Sequence, residues 1–334
     1  RLTVVMHSDV VRAAELLRAG ELVAFPTETV YGLGADALNP SAIAKIFAAK
    51  GRPADHPLIV HLPPSARLDD WAREVPSGAR RLAEAFWPGP LTLILQRQSQ
   101  VPDQVTGGQD TVALRVPRHP VALDFLEAFG SGIAAPSANR YGRISPTLAR
   151  HVVEELGSAV SMVLDGGACE VGIESTIVDL SRGEAVLLRP GLIGAERIES
   201  VLGRPLSVAD ALAKPAPRVS GSHAAHYAPG TPLRLVRPDR LREVLNAQRH
   251  AGHRCAVIAY SQPAFAESPH VWRMLAADPA GYAHDLYSAL RELDSMGLRA
   301  IVVELPPEGE AWRAILDRLF RSAAGSGIAD DDRL

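Results

Sequence analysis

Cysteine is almost missing from this sequence: Cys169 and Cys255 are the only two among 334 residues. Two thiols are too few for a disulfide framework or a zinc site. Long apolar runs are missing as well. None approaches the roughly 20 residues that cross a bilayer, so no membrane association is expected. The N-terminal RLTVVMHSDV breaks its apolar run at His7, Ser8 and Asp9 and does not read as a signal peptide. A cytoplasmic protein is expected. There is no excess of positive charge: the net charge is −3 at pH 7, and basic residues are not interleaved with aromatics. Both facts disfavour a nucleic-acid-binding module. No Gly-x-Ser-x-Gly elbow, Walker loop, His-Glu-x-x-His or metal-spaced Cys pair occurs.

What is present is an ordinary globular composition, 47% hydrophobic and 22% charged, with 26 prolines. The length suits two domains. Over the first ~200 residues, helical and strand patterns alternate in mixed order. Ser8 can cap a helix carrying Val10, Ala13, Ala14 and Leu17, and Pro40-Ser41 opens a second. Further helices are expected at 77–87, 120–129 and 147–156, the last with Thr147 as its cap. ELVAF, LIVHL, LTLIL, TVALRV, GIAAP, SMVLD, STIVDL and AVLLR read as strands. The fold class is therefore α/β with α+β character, a mixed sheet containing antiparallel strands. Residues 213–232, AKPAPRVSGSHAAHYAPGTP, have no periodicity and read as a linker between a domain at 1–212 and one at 233–334. In the second domain LRLV, CAVIAY and AIVVEL alternate with helices at 239–250, 279–296 and 309–323, a small Rossmann-like α/β layer.

Four stretches carry possible chemistry. KIFAAKGRPADHPLIVHL places Lys50, Arg52, His56 and His61 where a helix gives way to a strand. A Lys in a last helical turn can be only a dipole partner. Arg52 lies past the Gly51 stop and invites a phosphate. FPTETVYGLGADA brings Thr27, Thr29 and Tyr31 to a strand end before Gly32 and Gly34, and can equally be a hairpin. APSANRYGRISPT offers Ser137, Asn139 and Ser145 ahead of a helix, as an anion site or a plain turn. TVALRVP and LLRPG set Arg115 and Arg189 inside strand patterns, with Ser175 and Thr176 heading another beside Glu174. A buried Arg needs an anion, either a ligand's or a carboxylate of the protein. With no covalent nucleophile or evident general base, these groups suit catalysis by positioning and charge neutralisation.

Together these stretches, with FWPGPLTLIL and GIESTIVDL, resemble the YrdC-like threonylcarbamoyl-AMP synthase family over residues ~10 to ~200. HYAPGTP and the region after it resemble the family's long, two-domain form. The resemblance implies an N-terminal twisted mixed sheet with a concave cleft. It also implies synthesis of threonylcarbamoyl-AMP and pyrophosphate from L-threonine, bicarbonate or CO2, and ATP. Mg²⁺ would accompany ATP, with ligands unassigned. The product would pass to a tRNA threonylcarbamoyl transferase complex, and direct tRNA binding is not expected. By resemblance, Lys50, Arg52, Ser137 and Asn139 are the catalytic residues. Nucleotide contacts would include those of Lys50, Arg52, His56, Thr111, Ser137, Ser145 and Arg189, with Tyr227 of the linker closing over the nucleotide. Threonine contacts would be Thr29, His61, Arg115, the Ala135 backbone and Ser175. The family often has Asn where this chain has His56. YrdC-like domains also occur in hydrogenase maturation proteins, whose acylphosphatase and zinc-finger segments are not visible here.

Overall fold

The computed structural model describes residues 6–208, 216–221, 223–261 and 268–326. Positions 213–215 and 222 of the expected linker lie outside them. The chain forms two units, Arg1–Tyr141 with Ser145–Ser222, and Gly142–Ile144 with His223–Leu334.

The first unit runs α1 (His7–Arg18), β1 (Val23–Phe25), β2 (Gly32–Asp36), α2 (Pro40–Lys50), β3 (Ile59–His61), α3 (Ser77–Phe86), β4 (Leu91–Gln96), α4 (Asp103–Thr106), β5 (Thr111–Arg115) and α5 (Pro120–Phe129). It continues with β6 (Ile133–Ala134), α6 (Ala149–Leu156), β7 (Met162–Val163), β8 (Thr176–Asp179), β9 (Val186–Arg189), α7 (Ala195–Leu202) and β10 (Ser207–Val208). Its ten strands form one sheet in the order β10-β9-β8-β4-β5-β3-β6-β2-β1-β7. Parallel pairs such as β3–β5 and β4–β8 alternate with antiparallel pairs such as β4–β5 and β8–β9. This is the mixed α/β architecture expected from the sequence.

Two helix starts differ from expectation. Met6, not Ser8, precedes the first turn of α1, because the Asp9 carboxylate accepts the Met6 N–H at 2.9 Å. Leu148, not Thr147, caps α6, and the Thr147 N–H instead meets His151 Nδ1 at 3.3 Å. At α2 the signals agree. Asn39 accepts two amides of the first turn, Pro40 opens the helix, and Gly51 ends it at φ +61°.

Strand alternation decides what faces what. In β3 and β5 and at their ends, Leu58, Val60, Leu62, Val112, Leu114 and Val116 join the main core with Ile43, Ile46 and Leu82 of α2 and α3. The alternate residues Ile59, His61, Ala113 and Arg115 therefore share the other face. There Ile94, Ala113, Ile177 and Val219 make a small apolar cluster of their own. That face carries the candidate site.

The second unit runs β11 (Leu233–Val236), α8 (Leu241–His250), β12 (Ala256–Ala259), β13 (Val271–Met274), α9 (Pro279–Asp294), β14 (Ile301–Glu304) and α10 (Arg313–Gly325). Its sheet, β11-β14-β12-β13, is parallel throughout, and Leu241, Leu245, Val257 and Val302 lie in its core. Strand β13 has no counterpart in the sequence reading. It is an edge strand with Arg273 and Met274 exposed, so it lacks the apolar run of a central parallel strand. Helix α10 starts at Arg313 rather than 309, because a single 3-10 turn occupies Glu310–Trp312. Among the described residues no helix is long and apolar enough to cross a membrane.

Candidate active site

At the C-terminal end of α2, the Gly51 N–H bonds to Ala48 O and the Arg52 N–H to Phe47 O. The backbone thus closes the helix, and Lys50 is released from capping. Its Nζ donates instead to the carbonyl oxygens of Ser137 and Asn139. Lys50 is buried. Burial, and next the charge of Arg52, hold its pKa well below the ordinary lysine range. Arg52 is also buried, at 7% exposure, and its Nη2 donates to Pro57 O at 3.0 Å. The Tyr141 N–H returns to Lys50 O at 2.8 Å, and the His56 ring meets the Tyr141 ring edge-on at 5.3 Å. The tertiary fold therefore joins the Lys-x-Arg and Ser-x-Asn pairs, 87 positions apart, into one cluster.

Beyond Asn139, the chain re-enters this unit at Ser145, whose hydroxyl donates to Glu174 Oε1 at 2.6 Å with both side chains buried. Neighbouring Ser175 shares a 2.8 Å hydrogen bond with Thr92 and accepts from Arg189 Nη2 at 3.1 Å. Arg189 also donates from Nε to Ser175 O and from Nη1 to Ser220 O, each at 2.9 Å. Thr111 opens β5 on the same side.

His61 and Arg115 are register partners at the ends of the parallel strands β3 and β5. Arg115 answers the choice that the sequence left open, since its anion is a carboxylate of the protein. Nη2 meets Glu28 Oε1 at 2.6 Å, Nη1 reaches Thr29 Oγ1 at 3.0 Å, and Nε reaches Gly89 O at 3.3 Å. Glu28 also accepts the Arg118 N–H at 2.8 Å. The Ala135 N–H is engaged by Ile59 O at 2.9 Å, so any ligand contact through that backbone falls to its carbonyl.

His61 is buried, and its Nδ1 has no hydrogen-bond partner. Burial, and then the nearby Arg115 charge, push its pKa down to about 3 from 6.5, so the ring is a neutral acceptor at pH 7. The folded protein then binds fewer protons here than the unfolded chain. The stability that His61 contributes is complete above pH 6.5 and is lost as pH falls toward 3. Urea unfolding of wild type and His61→Gln should show the wild type gaining relative stability from pH 4 to pH 7. A flat difference over that range would mean that His61 is not held neutral.

Linker residues Arg218–Ser220 belong to this unit. Arg218 exchanges hydrogen bonds with Gln109 and donates to Gly107 O, while the Val219 side chain joins the cluster of Ile94 and Ala113. Tyr227 belongs to the second unit. Its ring lies 5.6 Å from the Arg318 guanidinium and 6.0 Å from the stacked Tyr287 ring, and Ser322 Oγ donates to its carbonyl at 2.8 Å. With 1% exposure, it packs as a core residue within that unit. Two buried acids, Glu28 and Glu174, stand in this cluster without a motif of their own in the sequence. Their only sequence signal is that each stands directly beside a Thr or Ser at a strand end, in TET and EST.

Known proteins resemble this chain in sequence and in fold. Residues 15–191 match the family model described as Telomere recombination, covering Sua5, YciO and YrdC proteins. Residues 193–324 match the model described as Threonylcarbamoyl-AMP synthase, C-terminal domain. The threonylcarbamoyl-AMP synthase of Bacillus subtilis is 41% identical over 327 residues, spanning 96% of this chain and 94% of its own length. That of Pyrococcus abyssi is 40% identical over 325 residues, spanning 95% and 94%. The crystal structure of P. abyssi Sua5 complexed with L-threonine superposes with a TM-score of 0.88 at 38% identity, covering 97% of this chain and 96% of that one. The chain belongs to the threonylcarbamoyl-AMP synthase family, in its two-domain YrdC-like form.

Proposed function

We propose that this chain condenses L-threonine, bicarbonate or CO2, and ATP into threonylcarbamoyl-AMP and pyrophosphate, supplying a separate tRNA threonylcarbamoyl transferase complex in the cytoplasm. The observation that carries the reading is the convergence of Lys50, Arg52, Ser137 and Asn139, with a second group of His61, Arg115 and Thr29, and Ser175 held by Arg189 and Thr92. In the reaction, the threonine nitrogen bonds to the carbon of CO2 and loses a proton, giving a carbamate. A carbamate oxygen then attacks the α-phosphorus, and the bond to the bridging oxygen breaks as pyrophosphate leaves. Holding the partners together supplies much of the rate, because effective molarities are large.

In this reading Lys50 and Arg52 face the phosphates and neutralise charge as it moves toward the leaving group. Ser137, Ser145 and Arg189 contribute further donors, and His56 and Thr111 flank the nucleotide. The apolar patch of Ile94, Ala113 and Ile177 has the chemistry that an adenine ring takes. On the threonine side Arg115 is already neutralised by Glu28, so it orients a carboxylate through directed N–H bonds more than through net charge. His61, with a pKa near 3, accepts a hydrogen bond and does not remove the amine proton. Among the described residues no group of three acidic, His or Cys side chains gathers to hold a metal. In this reading Mg²⁺ arrives as MgATP, bound mainly by phosphate oxygens and water.

Pyrophosphate release should therefore require both L-threonine and bicarbonate. Serine should be about 10–200-fold poorer, the range that one missing methyl allows. Turnover that is indifferent to bicarbonate would refute the assignment.

A further inference from the structure

Behind the threonine side of the sheet lies a cavity that this reaction does not use. It has a volume of about 470 Å³ and opens between the loop after β3 and helix α3. That size lies within the ~300–1,000 Å³ of small-molecule sites. Leu62 and Val116 form part of its wall. Each directly follows a site residue, His61 or Arg115, and by strand alternation its side chain points to the opposite face. The cavity and the candidate active site are thus the two sides of the same strand ends.

Its lining is amphipathic. Leu62, Leu68, Ala83, Val116 and the Trp87 indole supply apolar wall, with Arg67, Arg80 and Asp69 at the margin. The Asp69 charge is engaged by Arg80 at 2.8 Å. The Arg67 carbonyl accepts the Asp70 N–H at 3.1 Å, while its exposed guanidinium makes no hydrogen bond among the described residues and acts on Asp69 only through its charge. The three charges sum to +1, so one cation is left over beside an apolar, aromatic-walled hollow. Such a hollow favours a ligand with one negative charge and a flat or branched apolar body.

The cavity is wired to Arg115 by short backbone links. The Leu62 N–H donates to Arg115 O at 2.8 Å, and the Gly89 N–H donates to Val116 O at 2.8 Å. Gly89 O in turn accepts Arg115 Nε at 3.3 Å, and Pro88, next in sequence, lines the cavity. A ligand pressing on Leu62, Pro88 and Val116 thereby acts on the Arg115 backbone and on Gly89, whose carbonyl accepts from the guanidinium.

We propose that this cavity is a regulatory site for an amphipathic organic monoanion whose binding alters threonine affinity through Arg115. The coupling rests on the reading of Arg115 as a threonine contact, whereas binding in the cavity does not. The test uses the full chain and anilinonaphthalenesulfonate as probe. Fluorescence titration should give saturable binding, weakened at least about 10-fold by Arg67→Glu and by Ala83→Trp, which fills the hollow. The uncharged analogue phenylnaphthylamine should also bind at least about 10-fold more weakly. Saturating probe should change the calorimetric Kd for L-threonine at least about 3-fold in wild type and leave it unchanged in Arg67→Glu. Probe binding that is insensitive to Arg67→Glu, or equal for the uncharged analogue, overturns the site. Binding that behaves as expected with an unmoved threonine Kd overturns the regulation. A chain that binds no L-threonine at all refutes the proposed function instead, while the titration still decides the cavity.

Discussion

Arg52→Ala is expected to reduce pyrophosphate release by about 10- to 100-fold for each phosphate hydrogen bond that the guanidinium makes, since a charged bond contributes ~1.5–3 kcal/mol. Two such bonds would bring activity close to background. The position looks from the sequence like an exposed loop arginine, replaceable without structural cost. The fold corrects this, because Arg52 is 7% exposed and supports Pro57 O. Some loss of stability should accompany the substitution, about 1–3 kcal/mol for an acceptor left without its donor. Urea unfolding must therefore be measured beside activity. Arg52→Lys separates charge from geometry, since a lysine keeps the charge but not the planar fork that grips phosphate bidentately. Wild-type turnover in Arg52→Ala would remove the phosphate role from this residue.

Glu28→Ala is expected to have the largest effect on stability, about 3–5 kcal/mol, the usual cost of leaving a buried charge uncompensated. Both partners lie almost wholly inside the protein, with side-chain exposures of 4% for Arg115 and 1% for Glu28. The carboxylate also holds the Arg118 N–H, so the turn after β5 loses its brace at the same time. Glu28→Gln keeps a hydrogen-bond acceptor of nearly the same shape and should unfold between wild type and Glu28→Ala. In that variant KM for threonine should move more than KM for ATP if Arg115 is the threonine contact that the proposed function makes it. If Glu28→Ala is as stable as wild type by urea titration, the pair carries no structural load.

Some of the site was legible in the chain because its signals are local. Gly51 after an amphipathic run ends α2 at Lys50, and the Ser and Asn of APSAN mark a polar turn whatever surrounds them. Alternation within each strand gave which residues share the side of His61 and which share that of Arg115, but only the pairing of β3 with β5 brings the two onto one face. The partner of Arg115 was not legible at all. A buried arginine implies an anion, but whether a ligand or the protein supplies it depends on a residue 87 positions away. Tyr227 shows the same limit from the other side. HYAPGTP reads as linker, and only packing shows its ring between Arg318 and Tyr287.

The sequence by itself determined the two-unit α/β plan, the strand ends that carry polar groups and the family to which the chain belongs. Each is written in short-range periodicity, turn chemistry and contiguous motifs. Tertiary structure alone decided which strands are neighbours, so that β3 and β5 align His61 with Arg115. It also decided that Lys50 turns from its own helix end to the carbonyls of Ser137 and Asn139. Those outcomes are set by non-local packing and by the rule that buried charges and polar groups must find partners.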